Sequence, residues 1–187
     1  MQQRRFILPV TFTVLVVALL VVLAIGVAGN GRNDALDNAV ADHHYLPAPD
    51  ATLPLHQLGT SATQTLARYR GHPVLVNVFA SWCGPCQLEA PAMEQAERML
   101  RAHGGTVIAV SYQDNAVDDE RFVKRYGWTF PVVSDPSGTF ASAFGVTGVP
   151  ENFMIDPAGR VTDLFRGQVG AGWISHALAG ALAQGSA

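Results

Sequence analysis

The sequence predicts an α/β layer fold, a central mixed sheet flanked by helices, behind an N-terminal extension and one transmembrane helix. Three observations point there. Val74-Leu75-Val76-Asn77-Val78-Phe79 is a near-continuous apolar run of strand length, the pattern of a strand buried on both faces. Segments with helical apolar spacing alternate with further runs of this kind. From Phe6 to Gly29 the chain carries no charge. With 187 residues, 49% apolar and 14% charged, it suits one domain of ordinary size plus an appendage and is too apolar to be disordered.

The uncharged N-terminal segment is long enough to cross a hydrocarbon core, which needs roughly 20 apolar residues. Arg4 and Arg5 precede it, while Asp34 and Asp37 follow against Arg32 alone. The positive-inside bias places the N-terminus in the cytoplasm and the rest outside. A cleaved signal peptide would have a shorter apolar region and a small-x-small cleavage site, and the sites near Ala24-Ile25-Gly26 are poor. Residues 1–29 therefore read as cytoplasmic N-terminus and anchor, 30–46 as a flexible linker, and 47–187 as the folded domain. His43-His44 in the linker have no third ligand at a zinc-like spacing.

Within the domain, Thr52–Leu58 and Ala62–Leu66 read as short strands, followed by the buried-type strand Val74–Phe79. A helix follows Cys83 and runs to about His103, with Leu88, Met93, Ala96 and Leu100 at helical spacing, Pro91 inside it, and Gly104-Gly105 ending it. Thr106–Tyr112 reads as a second buried strand. Val117–Tyr126 reads as a helix with acidic residues in its first turn and basic ones in its last. Pro131–Ser134 is a short strand and Phe140–Phe144 a short helix. Asn152–Ile155 and Val161–Arg166 are strands joined by the turn sequence Asp156-Pro157-Ala158-Gly159. Ala171–Leu182 closes as a helix. The order is βαβα then ββα, a parallel half joined to an antiparallel hairpin with helices on both faces.

Net charge is −3, and without Arg4 and Arg5 the remainder has 10 basic and 15 acidic residues. That balance, with no basic cluster, argues against nucleic acid as a partner. The two cysteines, Cys83 and Cys86, are too few for an all-cysteine zinc site and too close to staple distant loops. They form a local dithiol at the end of a buried strand and the start of a helix. Unpaired N–H groups and the positive dipole end stabilise a thiolate there. Cys86, one turn on, can close on Cys83 or resolve a mixed disulfide. Gly84 and Pro85 suit a helix first turn. Trp82 offers an apolar shelf that shields Cys83, whose sulfur is expected to be exposed and acidified. No cofactor is implied beyond the redox-active Cys83–Cys86 disulfide, and no metal. A copper(I) site on the two thiolates is the competing chemistry, although no methionine flanks the pair and Met93 and Met99 read as helix packing residues.

The run Val74 through Pro91, with Trp82-Cys83-Gly84-Pro85-Cys86 after a hydrophobic strand, resembles the thioredoxin superfamily, in particular its membrane-anchored TlpA/ResA/CcmG branch. Ser111-Tyr112-Gln113-Asp114, Tyr126-Gly127, and Phe144 through Asp156 with Gly145-Val146-Thr147-Gly148-Val149-Pro150-Glu151 are most similar to CcmG, also called DsbE. The Gly84-Pro85 dipeptide and Phe79, where many relatives have Trp, depart from that pattern. The resemblance implies a thioredoxin-like fold anchored in the bacterial inner membrane and facing the periplasm. It implies a dithiol reductase of cytochrome c maturation, re-reduced by a membrane electron transducer of the DsbD/CcdA type. Its clients would be apocytochrome c or mixed disulfides on other maturation proteins. A thiol reductase or copper(I)-handling factor for cytochrome oxidase copper sites is the alternative.

The resemblance also implies that Pro150 is cis and faces the dithiol. It favours Glu89, three residues after Cys86, as a proton acceptor for the second thiol if burial raises its pKa. Glu151 reads as an acidic lining of the site or a surface residue. Asn77 stands where thioredoxin has an ionisable aspartate, so proton handling falls to Glu89 or Glu151, and a buried Asn77 needs hydrogen-bond partners. Trp128 and Phe130 read as packing residues, and Asp114 as a turn residue or partner contact.

Overall fold

The computed structural model describes residues 15–18, 20–22 and 34–185. The chain divides into two units, Met1–Arg32 and Asn33–Ala187. Residues 15–18 and 20–22 are helical. Among the described residues no helix is long and apolar enough to cross a membrane. The anchor expected over residues 6–29 lies largely outside them.

The second unit is built on a seven-stranded sheet. In chain order its elements are helix α1 (Ala35–Ala41), β1 (Leu55–Gln57), β2 (Thr63–Gln64), a 3₁₀ turn (Leu66–Tyr69), β3 (Val74–Phe79), α2 (Gly84–Arg101), β4 (Thr106–Tyr112), α3 (Ala116–Tyr126), β5 (Val132–Asp135), α4 (Thr139–Ala143), β6 (Glu151–Ile155), β7 (Val161–Arg166) and α5 (Ala171–Gly185). The strands lie in the order β2-β1-β5-β4-β3-β6-β7. β3, β4 and β5 are parallel neighbours, while β6 and β7 on one side and β1 and β2 on the other pair antiparallel. The expected mixed sheet is present. The two early strands are shorter than their apolar stretches suggest.

β3 is buried along its whole length, as its apolar run requires. Its alternate residues serve opposite faces. Leu75 and Phe79 join α2, α3 and α5 in one core with Met93, Leu100, Phe122, Trp128 and Ile174. Val74, Val76 and Val78 join α1 and α4 in the other, with Leu36, Phe140, Phe144 and Phe153. Trp128 and Phe130 are core residues, as expected, and Met93 and Met99 pack on the same side. Phe79 fills its position by packing against Phe122 and Trp128, with ring centroids 5.1 and 4.9 Å away. Pro91 lies inside α2 without ending it. Gly127 closes α3 in the left-handed conformation, φ 63°, which glycine adopts without steric cost.

The reading of 30–46 as a flexible linker needs correction. Residues 35–41 form α1, whose Leu36 and Ala39 are buried against the sheet. The polar composition hides a short apolar stripe, Leu36, Ala39 and Val40, at the helical spacing of three and four. Asp37 on the same helix forms a two-pronged pair with Arg166 of β7, at 2.9 and 2.5 Å.

Candidate active site

The site lies where β3 and β4 end and α2 begins. Cys83 is the N-cap of α2, with extended backbone, and its Sγ accepts a hydrogen bond from the Cys86 N–H at 3.1 Å. Gly84 and Pro85 occupy the first turn, where a missing N–H leaves no helix bond unmade. The two cysteines are joined in a disulfide with their Cα atoms 5.2 Å apart. Contrary to the expected exposed sulfur, Cys83 is only 4% exposed and Cys86 only 2%. The reason is the loop before β6: the Val149 carbonyl oxygen lies 3.4 Å from Cys83 Sγ. The Val149–Pro150 peptide is cis, as the resemblance implies. Trp82 is 63% exposed and lines a groove toward α3. The group shown closing on the sulfur is therefore a backbone carbonyl.

The loop carrying the dithiol is held from two sides. Asp114, after β4, accepts the Ser81 N–H at 2.6 Å, so its role is to anchor this loop. Gln87 of α2 donates its amide to the Ser81 carbonyl at 3.1 Å.

One turn along α2, Glu89 is buried, with 1% exposure. Because odd-numbered residues of β3 face α2, Asn77 points at it. Asn77 Nδ2 donates to Glu89 Oε1 at 2.6 Å and to Asn152 Oδ1 at 3.0 Å. Asn152 Nδ2 donates to Glu89 Oε2 at 3.1 Å, and the Val169 N–H donates to the same oxygen at 2.7 Å. Burial pushes the Glu89 carboxyl up to about 7, against these three bonds, which favour the ionised form. An acid balanced near neutrality can accept and return a proton at physiological pH. The structure thus places Asn77 and Glu89 together and supplies Asn77 with its partners. Sequence reasoning missed Asn152 and the Val169 N–H. The signal for Asn152 was its place opposite Asn77 across the β3–β6 pair.

Glu151 is neither an acidic lining nor a surface residue. It is 3% exposed, pairs with the Arg166 guanidinium and accepts the Thr147 N–H at 3.1 Å. Its carboxylate oxygens are taken up by the Thr147 N–H and the Arg166 guanidinium, which leaves Glu89 as the candidate for proton handling. Arg166 joins Glu151 to Asp37 and to the Gly145 carbonyl. No local pattern signals that convergence, because its members are up to 129 residues apart.

Another buried acid was unforeseen. Asp119 of α3 is fully buried. Ser111 Oγ donates to its Oδ2 at 2.5 Å, while Oδ1 has no partner. Burial, then the Asp114 and Asp118 charges, push its carboxyl up to about 6. In sequence it looks like an ordinary first-turn acid. Among the described residues no group of three or more His, Cys, Asp or Glu side chains could hold a metal.

A chain with this fold and site has clear relatives. The Redoxin family model matches residues 46–181. The thiol-disulfide oxidoreductase ResA of Geobacillus thermodenitrificans is 34% identical over 102 residues, 54% of this chain and 59% of that protein. The thiol:disulfide interchange protein CycY of Rhizobium leguminosarum bv. viciae is 33% identical over 128 residues, 68% of this chain and 63% of that one. The match thus spans less than two thirds of either relative's length. Among solved structures, a putative thiol:disulfide interchange protein DsbE from Chlorobium tepidum superposes with a TM-score of 0.63 at 29% identity, over 73% of this chain and 98% of that one. A DsbF homologue from Corynebacterium diphtheriae, 24% identical, shares the fold with a TM-score of 0.67 over 74% and 88% of the two chains. With a family match running through most of the strands and helices that carry the dithiol, the chain belongs to the Redoxin family.

Proposed function

We propose that this chain is a membrane-anchored thiol:disulfide interchange protein that works in the reducing direction outside the cytoplasm, in cytochrome c maturation. The observation that carries the chemistry is Glu89, a buried carboxyl with a pKa near 7, one helical turn from Cys86. The Cys83 thiolate attacks one sulfur of a client disulfide. That S–S bond breaks, a mixed disulfide forms, and the other client sulfur leaves as a thiolate that takes a proton. Cys86 then gives its proton to Glu89 and attacks Cys83 Sγ. The mixed disulfide breaks, the second client sulfur leaves and is protonated, and the Cys83–Cys86 disulfide remains. The client gains two electrons and the protein loses two.

The N-terminal apolar segment supports attachment to the bacterial inner membrane with the domain in the periplasm. The Gly145-to-Glu151 motif supports a CcmG-like role. On that reading the electron donor is a membrane thiol transducer of the DsbD/CcdA type, and the client is the haem-binding Cys-x-x-Cys-His of apocytochrome c or a mixed disulfide on a maturation protein. Replacing Cys86 by Ala leaves Cys83 unresolved, so the variant should accumulate in cells as a mixed disulfide. Mass spectrometry of the trapped species should identify an apocytochrome or a maturation protein. A trapped set without either overturns the cytochrome assignment, and no trapped protein at all overturns the exchange mechanism.

A further inference from the structure

A groove of about 330 Å³ opens beside the dithiol loop, between Ser81, Trp82 and Gln87 on one side and Arg121, Arg125 and Tyr126 of α3 on the other. Phe122 and Asp118 complete its lining. We propose that this groove receives the acidic flank of a client polypeptide, an Asp or Glu near the disulfide that Cys83 attacks, with an apolar neighbour lying on Trp82. The inference deepens the interchange reading and rests on it.

The charge pattern argues for that occupant. Outside its first residues the chain is net acidic, so a surface with two guanidiniums and one carboxylate runs against its average. Arg121 pairs with Asp118 at 2.6 Å, but its side chain stays 72% exposed and keeps donors for a ligand. Arg125 has no carboxylate at ion-pair distance among the described residues, and its guanidinium lies over the Tyr126 ring, 5.5 Å from the centroid. A guanidinium over a ring and without a carboxylate partner keeps its N–H donors for a ligand, and can take a carboxylate with two bonds. Trp82 is 63% exposed, a cost the fold does not need for its own packing and a frequent property of residues that anchor a partner. Trp82 in the groove wall immediately precedes Cys83, which ties the groove to the dithiol loop.

The test uses the full chain in non-ionic detergent and two cyclic disulfide peptides that differ only in flanking residues, Asp and Glu in one and Lys in the other. Each second-order rate is divided by the same protein's rate with an uncharged small disulfide, hydroxyethyl disulfide, which has no flank to place in the groove. The acidic peptide should be preferred roughly tenfold at low ionic strength, the size expected from two exposed charge contacts and steering. In about 1 M salt the preference should largely vanish. The double substitution Arg121→Gln and Arg125→Gln should reduce it to about twofold. Equal normalised rates for both peptides, or a preference that survives the double substitution, overturn the groove while leaving the interchange reading intact. Failure to react even with hydroxyethyl disulfide overturns the interchange reading and the groove with it.

Discussion

At Glu89, burial and hydrogen bonding pull in opposite directions, and a pKa near 7 is the balance. The spacing from Cys86 was legible in the sequence, because three residues along a helix is one face. Its donors were not, since Asn152 and Val169 arrive from β6 and the segment before α5. The raised pKa has a stability consequence with a definite sign. An unfolded glutamate titrates near 4.5, the folded one near 7. Between those values the folded protein holds a proton that the unfolded chain has released, so stability falls as pH rises through that window. The loss, complete above pH 7, is about 3 kcal/mol. Glu89→Gln has no proton to lose, so this part of the pH dependence should disappear, as read from denaturant midpoints between pH 4 and 8. The same variant should slow resolution of the mixed disulfide by about tenfold or more, and the limb of the pH–rate profile near 7 should vanish. Formation of the mixed disulfide should change less. If both steps slow equally and the profile keeps its shape, Glu89 is not the proton acceptor.

Among elements, what could be read depended on how local the signal was. β3, α2, β4 and α3 each carry their periodicity within their own residues, and the structure places them close to where the pattern does. β1 and β2 owe their limits to pairing with each other and with β5, and the apolar stretches alone overestimate them. α1 was misread because a seven-residue helix rich in Ala, Asp and Asn is marginal by itself and forms by docking. That docking turns on Arg166, which ties α1 to the start of β6. Its side chain is 11% exposed, that of Glu151 4% and that of Asp37 29%. Arg166→Ala leaves the Glu151 carboxylate buried without its cation, and should cost about 3 kcal/mol or more in chemical denaturation. Asp37→Ala removes only the more exposed partner and leaves the Arg166–Glu151 pair, so its cost should be nearer 1 kcal/mol. Equal costs would mean that the guanidinium serves α1 and β6 alike, against the difference in burial.

The whole molecule sets the redox potential, because potential and the relative stability of the disulfide and dithiol forms are one quantity, with about 30 mV equivalent to 1.4 kcal/mol. The fold offers the reduced form two opposing influences. The N-cap position of Cys83 and the Cys86 N–H favour a thiolate. Glu89, one turn away and unpaired with any cation among the described residues, becomes a second negative charge as pH passes 7 and disfavours it. The Gly84-Pro85 dipeptide is shared with thioredoxin, whose potential is about −270 mV. Equilibration with glutathione buffers, followed by alkylation of free thiols, should place this protein near that value. The oxidised form should also be the more resistant to denaturant, because the same thermodynamic cycle links the two measurements. In Glu89→Gln the second charge is absent, so above pH 7 the reduced form gains stability and the potential should shift in the oxidising direction, while below pH 6 it should match the unsubstituted protein. A potential above about −150 mV would make the protein an oxidant and overturn the direction of electron flow assigned to it.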